Sequence, residues 1–266
     1  MEHLEKFKEY LLDMERAQGT VDTYMQSARI FFSEYGEISR ENMMDFKRRL
    51  LEEKSPKTAN LRIVAMNQYC IFAGHPECCI KGVKIHESSC VENVITEKEY
   101  RALLEGLKRD GNERGYFMIK FLAKTGARVS EFIRLTKDSL ETGYCEMWTK
   151  GKIRRIYIPQ ALIEESRDYF AGQDSEYLFP NRSGKRMTNR GISENIRRWA
   201  GRYGIRKEVM HPHSFRHLFA IEFLKRNSNI ALLADLMGHS SVSTTSIYLK
   251  LSREEQMRQF NEAPDW

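Results

Sequence analysis

The fold class that the sequence predicts is mainly α with one small antiparallel β-sheet, arranged as an N-terminal helical bundle followed by a C-terminal α+β domain. Three observations predict it. Apolar residues recur at helical spacing from His3 to Gly74, with capping residues between the runs. Periodicity lapses over residues 75–95 and resumes at Thr96. Between Tyr144 and Ile158 the pattern changes to two short runs rich in aromatic and β-branched residues. At 266 residues the chain suits two domains, each large enough to bury a core of its own.

The first helix is predicted from His3 to Gln18, with Leu4, Phe7, Tyr10, Leu11 and Met14 on one face and Gly19 as its stop. Thr20 is placed to cap a second helix over about 21–35, which carries Tyr24, Ala28, Phe31 and Tyr35 and stops at Gly36. Ser39 is placed to cap a third helix, running to about Lys54. Ser55-Pro56 opens a fourth, because serine caps and proline at the first helical position has no N–H to lose. These helices make a first domain over 1–82, and a linker over 83–95 follows. A second domain over 96–266 opens at the capping sequence Thr96-Glu97-Lys98-Glu99. It continues with helices near 97–109, 113–124 and 129–135, with a turn at Thr125-Gly126. Strands over 144–149 and 154–158, separated by Lys150-Gly151-Lys152-Ile153, read as a β-hairpin that Pro159 ends. Residues 161–255 return to helical periodicity.

The net charge of +6 and pI of about 9.0 favour polyanionic partners at low salt. No run approaches the roughly 20 apolar residues of a spanning helix. The start, MEHLEKFKEY, is charged helix, unlike a signal peptide, so a soluble, cytoplasmic protein is expected. Cys70, Cys78, Cys79, Cys90 and Cys145 are odd in number and lack paired C-x2-C spacing, which points to reduced thiols and no metal.

Four clusters could carry chemistry. In the first, a glycine turn delivers Arg128 to the start of a helix, with Glu131 three residues on. An arginine so placed, taken alone, is more often solvated or salt-bridged than a phosphate clamp. Lys150, Lys152, Arg154 and Arg155 surround the hairpin turn as a basic finger suited to DNA. Such a turn can equally be solvated, although four cations so close repel one another and favour an anion. His213 and Arg216, three apart, share a helix face that can hold one phosphate oxygen from two sides, with His217 an equal candidate for packing. The fourth, Leu236-Met237-Gly238-His239, leads through a hydroxyl-rich stretch to Tyr248. A lone tyrosine is nearly always packing, because a hydroxyl of pKa near 10 needs cations or a base to become a nucleophile.

Taken together and in this order, TGARVSEFIRL, the K-G hairpin, HSFRH and LMGHSSVSTTSIY resemble the catalytic domain of tyrosine recombinases of the phage-integrase type. TVDTYMQSARIFFSEYG and SPKTANLRIVAMNQYCIFAG are similar to that family's SAM-like core-binding domain. The resemblance implies that Arg128 and Arg216 grip a scissile phosphate, that His213 and His239 fill the histidine positions, and that Lys150 is the hairpin general acid, with Lys152 on the same turn as its rival. It makes Tyr248, nine residues after His239, the nucleophile. Lys152, Arg154 and Arg155 become DNA contacts. Leu218 stands where the family usually has threonine and touches none of these groups.

The resemblance further implies cleavage and rejoining of DNA through a 3′-phosphotyrosine, on a homotetramer that passes through a Holliday junction. No cofactor is expected: two arginines and histidine donors can stabilise the five-coordinate phosphorus without a metal, and no G-x4-G-K-[ST] loop is present. The chain starts directly at the core-binding helices, which suggests a simple, Xer-like or mobile-element recombinase without an arm-binding domain. Ser252-Arg253-Glu254-Glu255 fits the cap of a last helix, with Met257 and Phe260, that could dock on a neighbouring subunit. The alternatives are a non-catalytic DNA-binding regulator of the same fold, a type IB topoisomerase-like enzyme and a basic RNA-binding protein.

Overall fold

A computed structural model describes residues 2–85, 93–149, 152–239, 241–249 and 261; the side chains of Thr149 and Lys152 fall outside that description. The chain divides into two compact units, Met1–Glu87 and Ser88–Trp266.

The first unit holds α1 (Glu2–Asp13), α2 (Gln18–Glu34), α3 (Arg40–Glu53), α4 (Pro56–Phe72) and a 3₁₀ turn at Pro76–Cys78. Its core joins Phe7, Phe31, Phe46 and Met66 with Ile63 and Tyr69. Ser39 and Ser55 cap α3 and α4 as expected, accepting from the N–H groups of Asn42 and Thr58. The first helix ends earlier than expected. Glu15 adopts φ 53°, Glu15 N–H donates to Leu12 O and Arg16 N–H to Leu11 O, a left-handed stop with no glycine in it. Gly19 and Thr20 therefore lie inside α2, whose N-cap, Ala17, offers no side-chain cap.

The second unit holds α5 (Glu97–Arg109), α6 (Glu113–Thr125), α7 (Val129–Phe132), α8 (Lys137–Thr142), β1 (Tyr144–Thr149), β2 (Lys152–Tyr157), α9 (Gln160–Ala171), α10 (Asn189–Arg202), α11 (Pro212–Arg226), α12 (Ile230–Met237) and α13 (Val242–Thr245). A 3₁₀ turn covers Ser246–Leu249. Its core is aromatic at the centre, where Phe121, Phe132, Phe170 and Phe179 meet edge to face or stacked. The α7 helix stops at Phe132, short of the expected Leu135. The strands pair antiparallel from Tyr144↔Tyr157 to Thr149↔Lys152, so β2 starts two residues before the predicted Arg154.

Thr96 and Glu99 form a reciprocal capping box at α5. Glu99 also takes two hydrogen bonds from Arg206, at 2.7 and 3.0 Å. The Arg206 bonds first, then those from Thr96, hold the Glu99 carboxyl down at about 2. A depressed carboxylate contributes stability that is present above its unfolded value of 4.5 and is lost as pH falls toward 2. Glu99→Gln should therefore lower stability by about 1–2 kcal/mol at neutral pH, a figure discounted because Arg206 is half exposed. In thermal melts over a pH series the gap from wild type should close between about pH 5 and pH 2; a constant gap would refute the assignment.

Candidate active site

Three arginines close on the C-terminal end of α12. The last carbonyls of a helix have no partner within it and carry the negative end of its dipole. Here Leu236 O accepts from Arg154 Nη2 at 2.7 Å, Met237 O from Arg216 Nη2, and Gly238 O from Arg128 Nη2 at 2.7 Å. Gly238 makes the arrangement possible twice over. It takes the left-handed φ of 59° that ends α12, and a Cβ there would lie 2.4 Å from Arg154 Cδ.

Each arginine comes from a different local device. Arg128 follows the left-handed Gly126 that stops α6 and stands at the N-cap of α7. Arg216 sits on α11, whose first turn is set by Pro212 and by His211 Nδ1, which accepts from Ser214 N–H. Its Nη1 donates to Gly126 O, so this guanidinium ties the turn before Arg128 to the end of α12. Arg154 comes from β2. Alternation along that strand turns Arg154 and Ile156 inward, leaving Ile153, Arg155 and Tyr157 exposed.

Glu131 is the carboxylate of the site. It is 6% exposed and accepts the Arg128 backbone N–H at 2.7 Å, Arg128 Nη1 at 3.0 Å and Arg154 Nη1. Burial raises its pKa most. The Arg128 N–H and the charges of Arg154 and Arg128 outweigh it, and the net shift is downward. Three guanidiniums against one carboxylate leave a surplus of two positive charges among the described residues. Arg216 is 1% exposed, and its buried Nε finds no acceptor among the described residues. Burial first, then Arg128 and Arg154, push its pKa down to about 9, still charged at neutral pH.

His239 Nε2 lies 3.0 Å from Arg216 Nη2, which can only donate. Nε2 is therefore the acceptor, and the ring proton sits on Nδ1, 2.7 Å from the buried Thr245 Oγ1. Burial, then Arg216, hold His239 neutral with a pKa of about 4. Tyr248 packs with Ala220, Leu233 and Met237, 8% exposed. Its hydroxyl lies 2.6 Å from His217 Nδ1. Burial raises the phenol to about 12, while the Arg216 charge pulls the other way.

The structure thus gathers Arg128, Arg216, His239 and Tyr248 around α11 and the end of α12. His213 is exposed on α11, its ring 4.3 Å from that of His217. Lys150 lies outside the described residues, as does the Ser252–Glu255 cap, and of Lys152 only the backbone is described. Arg155 is exposed and pairs with Glu146 at 2.9 Å. Arg154 corrects the expectation of an outward basic finger: its side chain is 9% exposed and committed to Glu131 and Leu236 O. Sequence reasoning missed the Arg154 contacts with Glu131 and Leu236 O and the contact of His217 with the Tyr248 hydroxyl. The four-residue spacing from His213 could have pointed to the second; no local pattern marks the first.

A surplus of fixed positive charge beside a tyrosine hydroxyl suits an anion and a nucleophile in one place. A profile of the phage integrase family matches residues 93–255. Tyrosine recombinase XerA of Pyrococcus furiosus is 28% identical over 263 residues, covering 94% of this chain and 90% of the relative. Tyrosine recombinase XerC of Neisseria gonorrhoeae is 28% identical over 246 residues, covering 85% and 79%. The fold is shared with the Tn1549 transposon integrase in complex with circular intermediate DNA, at TM-score 0.76 and 17% identity over 98% of each chain. The chain belongs to the phage integrase family.

Proposed function

We propose that this chain breaks and rejoins DNA at specific sites, with Tyr248 as the nucleophile and the Arg128–Arg216 pair as the phosphate grip. It is a site-specific recombinase of the tyrosine type. The observation that supports this reading of the site is the surplus of guanidinium charge around a buried tyrosine. Attack of Tyr248 Oη on phosphorus would form a 3′-phosphotyrosine and release a 5′-hydroxyl. The charge that grows on the non-bridging oxygens would be met by Arg128 and Arg216, whose planar forks suit a phosphate. Rejoining is the same step reversed, near balance in energy because the bond is kept in the protein–DNA link.

In this reading Lys150 protonates the leaving 5′-oxygen, with Lys152 as the alternative, and His213 completes the grip beside His239. Arg155 and Lys152 contact the DNA backbone. An exposed ion pair such as Arg155–Glu146 contributes little and is readily exchanged for a phosphate. Residues 1–82 serve as the core-binding domain, joined by 83–95 to the catalytic domain, and a homotetramer on two DNA sites exchanges the strands in the cytoplasm. Among the described residues no helix is long and apolar enough to cross a membrane.

The test uses a nicked duplex carrying the recombination site, which traps the cleaved complex. Wild-type protein should give a denaturation-resistant protein–DNA adduct. Tyr248→Phe, which keeps the ring and its packing, should give none while binding the duplex within a few-fold of wild type. An adduct that survives this change would overturn the assignment of the nucleophile.

A further inference from the structure

The His217–Tyr248 contact goes beyond the phosphate grip. Building on the reading of Tyr248 as nucleophile, we infer that His217 is a catalytic residue of the cleavage step: its Nδ1 takes the Tyr248 hydroxyl proton as the phosphotyrosine forms and returns it on rejoining.

The hydroxyl is buried with Tyr248, and the hydrogen bond it makes among the described side chains is to His217 Nδ1, at 2.6 Å. A buried phenol has one hydrogen to place. If Nδ1 were the donor, that hydrogen would be left without an acceptor among the described side chains, which is unfavourable for a buried hydroxyl. Tyr248 Oη–H donating to a bare Nδ1 satisfies the pair and puts the ring proton of His217 on Nε2. Packing supports the geometry: the His213 ring meets the His217 ring edge to face at 4.3 Å, and the His217 and Tyr248 centroids are 5.5 Å apart. His217 is also where an acceptor is needed, because Arg216, on the adjacent position of α11, can only donate.

Electrostatics point the same way. Burial, then the charges of His213, His211, Arg216 and His239, hold His217 neutral with a pKa of about 4, so its lone pair is available at neutral pH. Burial sets the Tyr248 phenol at about 12. That gap forbids a free phenolate waiting beside an imidazolium. The proton moves only as the oxygen gives its electrons to phosphorus, so the base works on the transition state and leaves the resting enzyme uncharged.

The step balances. The Oη–P bond forms as the P–O5′ bond breaks, the Oη–H pair stays on oxygen, the proton goes to His217 Nδ1, and the 5′-oxygen takes a proton from the general acid of the hairpin. Rejoining returns both protons.

His217→Asn separates a base from a hydrogen-bond partner, since an amide oxygen can accept from the tyrosine and is almost without basicity. The full-length variant, on the nicked duplex, should bind DNA like wild type and form the adduct about 10²- to 10³-fold more slowly. A fluorinated tyrosine at position 248, whose phenol is more acidic, should recover at least about tenfold of that loss, which a purely positional role would not allow. A 5′-bridging sulfur on the leaving group, which needs no proton, should not restore the rate. Rescue by sulfur, or an unslowed His217→Asn, would overturn the proposal. In the wild-type protein, ¹⁵N resonances of His217 should show hydrogen on Nε2; hydrogen on Nδ1 would overturn it whatever the variants do. If wild type formed no adduct through Tyr248, the reading of the nucleophile would fail instead, and the two failures are distinct.

Discussion

Arg216→Lys is expected to slow adduct formation on the nicked duplex by about 10²- to 10³-fold at pH 7.5, equivalent to losing one well-placed donor to a developing oxyanion. Affinity for the duplex should change only a few-fold, because it is spread over many phosphate contacts. The reason is geometric first. The Arg216 fork reaches Gly126 O, Met237 O and His239 Nε2 from one plane, and an ammonium on a flexible stem cannot hold three directions at once. The second reason is charge. Burial with Arg128 and Arg154 nearby pulls an arginine from 12.5 to about 9 and leaves it protonated. A lysine begins lower, near 10.4, so the same burial and neighbouring charges would strip its proton more readily. Part of the defect should therefore recover as pH is lowered and the ammonium fills, measured as the ratio of variant to wild-type rates. A variant cleaving within about fivefold of wild type at pH 7.5 would refute the view that this guanidinium stabilises the transition state.

Much of what positions these groups is readable in the sequence because it is local. Ser39, Ser55-Pro56 and Thr96 with Glu99 announce helix starts through side chains that reach only three residues, and Gly126 announces the stop that sends Arg128 into the site. The end of α1 was hidden because Glu15, without a glycine's freedom, takes the left-handed conformation, and Gly19 drew the boundary too far along. Arg154 was hidden for a different reason. Its strand puts apolar Ile153 and Tyr157 toward solvent and an arginine inward, the reverse of the usual alternation, because Glu131 and the α12 carbonyls form a polar interior there. No window of sequence shows that three arginines from residues 128, 154 and 216 end on carbonyls 236 to 238; only the fold makes them neighbours. The order of motifs could suggest Arg128 and Arg216 as a pair, but not that a third arginine backs them.

Glu131→Ala should be the most destabilising single change in the site, at about 3–5 kcal/mol, because it leaves Arg154 buried with no countercharge. For a unit of this size that amounts to a fall of roughly 6–20 °C in melting temperature. The carboxylate is 8% exposed and Arg154 9%, so water cannot replace the lost partner. Arg128 loses its bond to Oε1 and the restraint on its backbone N–H together, and adduct formation should drop with stability. The deficit has a pH signature. A carboxyl whose folded pKa is lowered gives stability that is present above its unfolded value of 4.5 and is lost as pH falls through the folded one. The gap between Glu131→Ala and wild type should therefore narrow in acid. Removing the stranded charge supplies the sharper check: Glu131→Ala with Arg154→Met should melt higher than Glu131→Ala alone, since the buried cation is gone and an apolar chain of similar length fills its place. If the double variant melts no higher than the single one, Arg154 is hydrated without Glu131, and the carboxylate orients Arg128 rather than neutralising a buried cation.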